Sequence, residues 1–420
     1  MIRVAPIEPV VLQQHAQNVS SMHSTRTFLV GAPHPNLKQL RRFDERMAAN
    51  LDGLAVADDA AKPVCMEGLE QPTAGAVFVA TIRALESSDD TWLQQVLTLT
   101  GLTPTLRGGV VAAFGWAERQ RLQGVVRELL NSSDGTDRCV GIAACSIHRV
   151  DPALGPARRL EDPDSLVRAR AYRTAGELGK REFLSRLGSA ACDEDPVCQF
   201  WAAWSAVLLG DRQAALGLLQ ALALQDGPYR ARAFAVALAA MPERAGHEYL
   251  RPLAQDPTLL QWLIRGVGIV GDPTYIPWLL GHMAEARLAR LAGESFTFIT
   301  GLDLSRPPFE RARPNDFESG PTDDPADENV ALDEDEGLPW SEVGRVQAWW
   351  NQNGGRFATG VRHFMGAPVT REHCIEVLKT GYQRQRIAAA YHLCMLNPGQ
   401  TLFEWRAPAW RQQRLLAGMT

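Results

Sequence analysis

The sequence lacks the features that most often reveal a compartment. No apolar run reaches the ~18 residues that crossing a bilayer requires, and the first residues lack the basic and then apolar pattern of a signal peptide. The seven cysteines include no pair with CxxC spacing. Because oxidising compartments favour paired cysteines, we expect a reduced, cytoplasmic protein with no membrane partner.

Sequence signs of metal, nucleotide and nucleic-acid binding are also missing. The net charge of −5 gives no basic surface to displace the counterions of a nucleic acid. The nine histidines never form HExxH or a Cys/His ligand set, and no GxxxxGK[ST] sequence for a P-loop occurs. We therefore predict no cofactor, no metal and no direct nucleic-acid partner.

Short motifs that resemble known sites are better explained as structure. Gly266–Gly271 fits GxGxxG but ends a helical run, where small residues suit a close helix crossing. Gly293–Thr297 misses the nucleophile elbow by its final glycine. His373 and Cys374 are adjacent helix positions, which do not face each other. We interpret His148 and His392 as structural groups too, so no catalytic residue is predicted.

What the sequence does contain is a repeat. A turn signal returns every 28 to 33 residues, and an Ala-rich apolar run follows each one. This period is typical of stacked helix pairs, none of which can bury its apolar face alone, and strand signals are scarce. We predict an all-α fold, an α-solenoid of about seven helix pairs. The turn signals are Thr103-Pro104, Asp134-Gly135, Asp162-Pro163, Asp195-Pro196, Asp226-Gly227-Pro228 and Asp256-Pro257.

Four segments are expected along the chain. Residues 1–65 form an N-terminal helical cap, with one helix from Val10 to about Val30 and a second from Leu37 that stops at Asp52-Gly53. Residues 66–304 form the repeat array. An acidic insertion follows at 305–340, and residues 341–420 form a last helical repeat and a C-terminal cap.

The insertion concentrates negative charge. Without its ten carboxylates, the formal charge of −5 would become +5. Three interpretations stay open: a solvated linker, a polyanionic decoy for the basic groove of a partner such as a nuclease, or a calcium site, although the spacing lacks a regular D-x-D-x-D-G loop. The carboxylates are Asp316, Glu318, Asp323, Asp324, Asp327, Glu328, Asp333, Glu334, Asp335 and Glu336.

Tryptophan and arginine are concentrated in the C-terminal part. Trp349, Trp350 and Arg406 are further candidates for partner contacts, because Trp and Arg dominate the binding energy of many protein interfaces. The alternative is that they pack the terminal cap against the last repeat.

Both ends of the chain carry a family resemblance. Leu40-Arg-Arg-Phe-Asp44-Glu-Arg46 leads to Leu51-Asp52-Gly53-Leu54, and Arg356-Phe-Ala-Thr-Gly360 and Arg406-Ala-Pro408 stand near the other end. The whole chain resembles a proteobacterial family of HEAT-repeat-like proteins encoded beside type VI secretion components and their toxic effectors. That resemblance implies a HEAT-like solenoid with a non-enzymatic, partner-binding role.

Three functional hypotheses follow. The first is an immunity protein that binds a cognate type VI effector through the concave face of its array and the acidic insertion, and occludes it. The second is an adaptor or chaperone that loads the effector onto the secretion spike. The third is a lyase or hydrolase on a repeat scaffold, for which the sequence supplies no paired acid, metal site or activated nucleophile.

Overall fold

The computed structural model describes residues 8–152, 159–315, 317, 319–320 and 333–419. Helices make up most of these ranges, and the strands within them are two-residue pieces. The helices are α1 Pro9–Leu29, α2 Leu37–Val56, α3 Ala61–Glu67, α4 Ala74–Ser87, α5 Asp90–Leu102, α6 Arg107–Trp116, α7 Val125–Asn131, α8 Gly135–Ile147, α9 Ser165–Glu177, α10 Leu184–Ala190, α11 Pro196–Leu208, α12 Ala214–Ala223, α13 Arg230–Ala240, α14 Glu243–Leu250, α15 Leu260–Val270, α16 Ile276–His282, α17 Ala289–Thr300, α18 Val343–Asn353, α19 Arg371–Thr380, α20 Gln383–Leu396 and α21 Ala409–Ala417. The strands are β1 Glu310–Arg311, β2 Trp340–Ser341, β3 His363–Phe364 and β4 Ala367–Pro368, with β1 antiparallel to β2 and β3 antiparallel to β4.

Some of the recurrent aspartates act as helix caps. The Asp134 carboxylate accepts from the backbone N–H groups of Thr136 and Asp137 at 2.7 and 3.1 Å, at the start of α8. Asp195 does the same for Val197 and Cys198 in α11. The cap of α9 is Asp164, which accepts from Leu166, whereas the turn-signal residue Asp162 pairs with Arg138. A capping carboxylate satisfies N–H groups that have no partner within the helix, so the turn signals at Asp134 and Asp195 mark the starts of α8 and α11.

The chain divides into two compact units. Unit 1 comprises Met1–Gly31, Pro35–Ser205 and Thr401–Met419, and unit 2 comprises Ala32–His34, Ala206–Gln400 and Thr420. In unit 1, α4 packs on α6, α6 on α8, and α8 on α9. The core of this unit is a continuous set of buried apolar side chains that includes Val19, Met47, Phe78, Val110 and Val140.

A ladder of arginine–aspartate pairs joins successive repeats of unit 1. Arg138 of α8 donates to both carboxylate oxygens of Asp162 at 2.9 and 3.0 Å. One repeat later, Arg168 of α9 makes the same two bonds to Asp193. Each arginine also donates to two carbonyl oxygens in the loop before its own helix. Because each pair reaches into the following loop, the ladder fixes the spacing between neighbouring repeats.

In unit 2, α13 packs on α15, and α15 on α17. The GxGxxG sequence ends α15, and Gly271 has a left-handed conformation at its C-terminal cap. A Cβ on Gly268 would lie 3.0 Å from the Cα of Ser295 in α17, and Ser295 donates to the carbonyl of Ile264 at 2.8 Å. The prediction of a close helix crossing is therefore confirmed.

One helix boundary differs from the prediction. Asp52-Gly53 does not stop α2, which continues to Val56 and buries Leu54. Gly53 sits against the ring of His15, whose Nε2 would lie 2.7 Å from an added Cβ. Here glycine serves helix packing, and tertiary contact overrides its low helix propensity. The fold class itself, an all-α stack of helix pairs of the α-solenoid type, is confirmed.

Candidate protein-interaction site

Four of the ten carboxylates of the acidic insertion lie in a described turn just before β2. The Asp333 carboxylate accepts from the backbone N–H of Asp335 at 2.9 Å, and the N–H of Glu336 donates to the Asp333 carbonyl at 3.1 Å. We call residues 333–336 the acidic turn. The remaining six candidates lie outside the described residues: Asp316, Glu318, Asp323, Asp324, Asp327 and Glu328.

Three arginines of unit 2 hold the acidic turn. They come from three helices: Arg265 from α15, Arg290 from α17 and Arg384 from α20. We call them the arginine cluster. Arg265 approaches Glu334 at 2.7 Å and Asp335 at 3.7 Å, measured between guanidinium nitrogen and carboxylate oxygen.

Arg290 makes the most buried of these contacts, since only 8% of its side chain is exposed. It donates to the Asp333 carboxylate at 2.6 Å and to the backbone carbonyl of Asp335 at 3.1 Å. Its guanidinium also lies 5.1 Å from the ring centre of Phe317 and 5.0 Å from that of Trp340. Aromatic rings and carboxylate together stabilise the cation away from water.

Arg384 links the turn to a carboxylate of the repeat array. It donates to Glu294 of α17 at 2.8 Å and to the backbone carbonyl of Glu334. Asp335 Oδ1 lies 3.7 Å from both Arg265 and Arg384, and this buried atom accepts no hydrogen bond. Glu336 lies 3.8 Å from Arg290, so five carboxylates surround three guanidinium groups.

The pKa values reflect this environment. Burial acts to raise the pKa of Asp333, but the hydrogen bond from Arg290 brings it below the usual value for aspartate. Glu294 behaves oppositely, because burial raises its pKa more than the charge of Arg384 lowers it. Docking of the turn thus favours the ionised form of Asp333.

Sequence reasoning did not identify the arginine cluster. A signal was present, since Arg265 and Arg290 interrupt apolar runs of α15 and α17. An arginine inside a buried helical run needs a carboxylate partner. The partner could not be found from the sequence, because the acidic turn is separated from these arginines by 40 to 70 residues.

The tryptophan candidates pack within unit 2. Trp349 lies 6.1 Å from Phe296 and 6.4 Å from Phe357 between ring centres, and Trp350 lies 5.5 Å from Phe357. Both are partly buried, and their use in partner binding stays a prediction. The third candidate, Arg406, belongs to unit 1 and is exposed, and its backbone carbonyl accepts from Arg26 at 3.0 Å.

The histidine candidates of the sequence analysis lie in structural surroundings. His148 Nε2 lies 2.8 Å from the carbonyl of Phe114, and burial lowers its pKa to about 4. Burial lowers the pKa of His392 to about 3. His373 Nε2 bonds the carbonyl of Phe364, whereas Cys374 is buried. Burial therefore favours the neutral form of His148 and His392.

The arrangement most like a proton relay is Asp272–His247–Tyr275. His247 lies 3.1 Å from the Asp272 carboxylate and 2.6 Å from the Tyr275 hydroxyl. Asp272 also accepts from the backbone N–H groups of Thr274 and Gly360 at 2.9 and 3.0 Å. The Asp272 carboxylate thus caps one turn and holds the loop at Gly360. These structural roles explain its position without catalysis.

Two classes of site are missing from the described ranges. Within them, no group of three or more His, Cys, Asp or Glu residues is arranged to hold a metal ion. None of the helices in these ranges has the length and apolar character needed to cross a membrane.

These features define an all-α protein of solenoid type whose acidic turn is held on its helices. Residues 157–239 match the family model of HEAT repeats. A search of curated proteins and a search of solved structures each gave no match. Since HEAT arrays typically present extended surfaces to other proteins, the match indicates a protein-interaction scaffold.

Proposed function

We propose that this protein is a non-catalytic immunity protein that binds and occludes a cognate effector of a type VI secretion system. The HEAT-repeat match and the stacked helix pairs support a binding role. The secretion context comes from the family resemblance of the two chain ends.

The acidic insertion is the observation that carries the proposal. Its ten carboxylates occur without one basic residue between Asn315 and Gly337. In sequence these carboxylates lie between β1 and β2, two strands that pair with each other, and the acidic turn is the described part just before β2. Concentrated negative charge steers a basic partner and raises the rate of encounter. The effector is therefore one with a basic groove, such as a nuclease.

Co-expression in a cell that the effector can kill tests this function. The protein is tagged and expressed with the product of each neighbouring gene, and both co-purification and growth are measured. We expect one product to co-purify and growth to be restored. A variant with all ten carboxylates changed to Asn or Gln should restore growth poorly, because its encounter with the basic partner is slower.

The same experiment separates the alternatives. A complex without restored growth would favour an adaptor that delivers the effector to the secretion spike. Full rescue by the neutral variant would show that the acidic insertion is a linker and that another surface binds. No complex with any neighbouring product would contradict the proposal.

A further inference from the structure

The arginine cluster is electrostatically incomplete without the acidic turn. Arg265, Arg290 and Arg384 bring three positive charges together from three helices, and Glu294 is the array carboxylate that pairs with one of them. Like charges in a partly buried site repel strongly because water screens them little. The cluster therefore needs an anionic ligand.

The contacts specify what kind of anion fits. Arg290 and Arg384 each donate to a backbone carbonyl of the acidic turn, those of Asp335 and Glu334. The carboxylates of Asp333 and Glu334 occupy the neighbouring positions. A phosphate offers no peptide carbonyl beside its charge, so this pattern is suited to a polypeptide.

We propose that the arginine cluster is a binding site for an acidic polypeptide segment of another protein, and that the acidic turn occupies it as an intramolecular competitor. A tethered ligand acts at an effective concentration on the order of millimolar. An outside segment therefore binds weakly until the turn is released. This proposal does not depend on the proposed function.

The probe is a fluorescein-labelled peptide with the sequence of residues 330–339, and its anisotropy is measured with the 420-residue chain. The test variant carries D333N, E334Q, D335N and E336Q, which keep side-chain size and remove the competing charges. We expect it to bind the peptide at least tenfold more tightly than the wild type. Added NaCl should weaken this binding, since the contacts are ionic.

A second quadruple variant controls for net charge. E248Q, E285Q, E372Q and E376Q remove four exposed carboxylates from other parts of unit 2. We expect this variant to bind the peptide as weakly as the wild type. Equal tightening in both variants would overturn the proposal, since net charge alone would explain it.

Three further measurements complete the test. The variant E334Q/E336Q changes only side chains that are 72% and 64% exposed, so its folding is retained, and we expect it to tighten peptide binding about threefold. Adding R384Q to the first variant should abolish the gain. Displacement of the peptide by a short single-stranded oligonucleotide as readily as by unlabelled peptide would contradict polypeptide specificity.

Discussion

At the scale of single residues, Glu177 is a buried charge of unit 1 that several polar side chains hold. It accepts from the Ser146 hydroxyl at 2.5 Å and from Arg173 at 2.7 Å, and it pairs with Arg170. Burial alone would raise its pKa, but the charges of Arg170 and Arg173 bring that pKa far below the usual value for glutamate. Its ionised form therefore contributes to the stability of unit 1.

Glu177→Gln should destabilise unit 1 by about 3–5 kcal/mol, because it leaves the guanidinium of Arg170 buried without a counter-charge. Urea unfolding followed by circular dichroism measures the loss. Glu182→Gln is the matched control, since the Glu182 side chain is 59% exposed, and it should change stability by no more than about 0.5 kcal/mol. Equal effects would show that the buried network contributes little.

The pH dependence has a defined sign. The folded-state pKa of Glu177 is depressed, so its contribution is complete above the unfolded-state pKa of about 4.3 and is lost as pH falls below it. The urea midpoint of the wild type should therefore fall more steeply below pH 4.3 than that of Glu177→Gln. Parallel curves would exclude ionised Glu177 as the cause.

At the scale of helices, two adjacent glycines of α6 provide an internal comparison. A Cβ on Gly109 would lie 2.2 Å from the backbone oxygen of Ala74, where α6 crosses α4, whereas a Cβ on Gly108 would meet nothing within 4 Å. Gly109→Ala should cost about 1–3 kcal/mol by overpacking. Gly108→Ala should be neutral or stabilise by up to about 1 kcal/mol.

Thermal unfolding of the two alanine variants measures this difference. The same chemical change is made at neighbouring positions of one helix, so composition is controlled. A similar midpoint for both variants would show that α4 and α6 do not approach as closely as described.

Some features of the helices could be predicted from the sequence and others could not. The repeat and its turn signals predicted the helix pairs, because helix periodicity and turn residues are local features of the chain. The predicted end of α2 was wrong, because Gly53 packs against His15 and a contact between two helices cannot be seen in the local sequence. The pairing of the acidic turn with the arginine cluster was missed for the same reason. The candidate site residues stay predictions until a partner is found.

At the scale of the whole molecule, a repeat scaffold is combined with a strongly acidic insertion. HEAT-like repeats form stacked helix pairs with an extended surface, and their match covers 157–239. In the proposed function the insertion attracts a basic partner, and four of its carboxylates lie within 4 Å of arginines of unit 2. The predicted mode of action is stoichiometric binding without turnover.

The most direct measurement is a titration of this protein into the purified effector that co-purifies with it, with the activity of the effector as the readout. We predict a linear loss of activity that is complete at one equivalent and independent of incubation time. Inhibition that continues with time at a small fraction of one equivalent would contradict it, because that behaviour requires an enzyme.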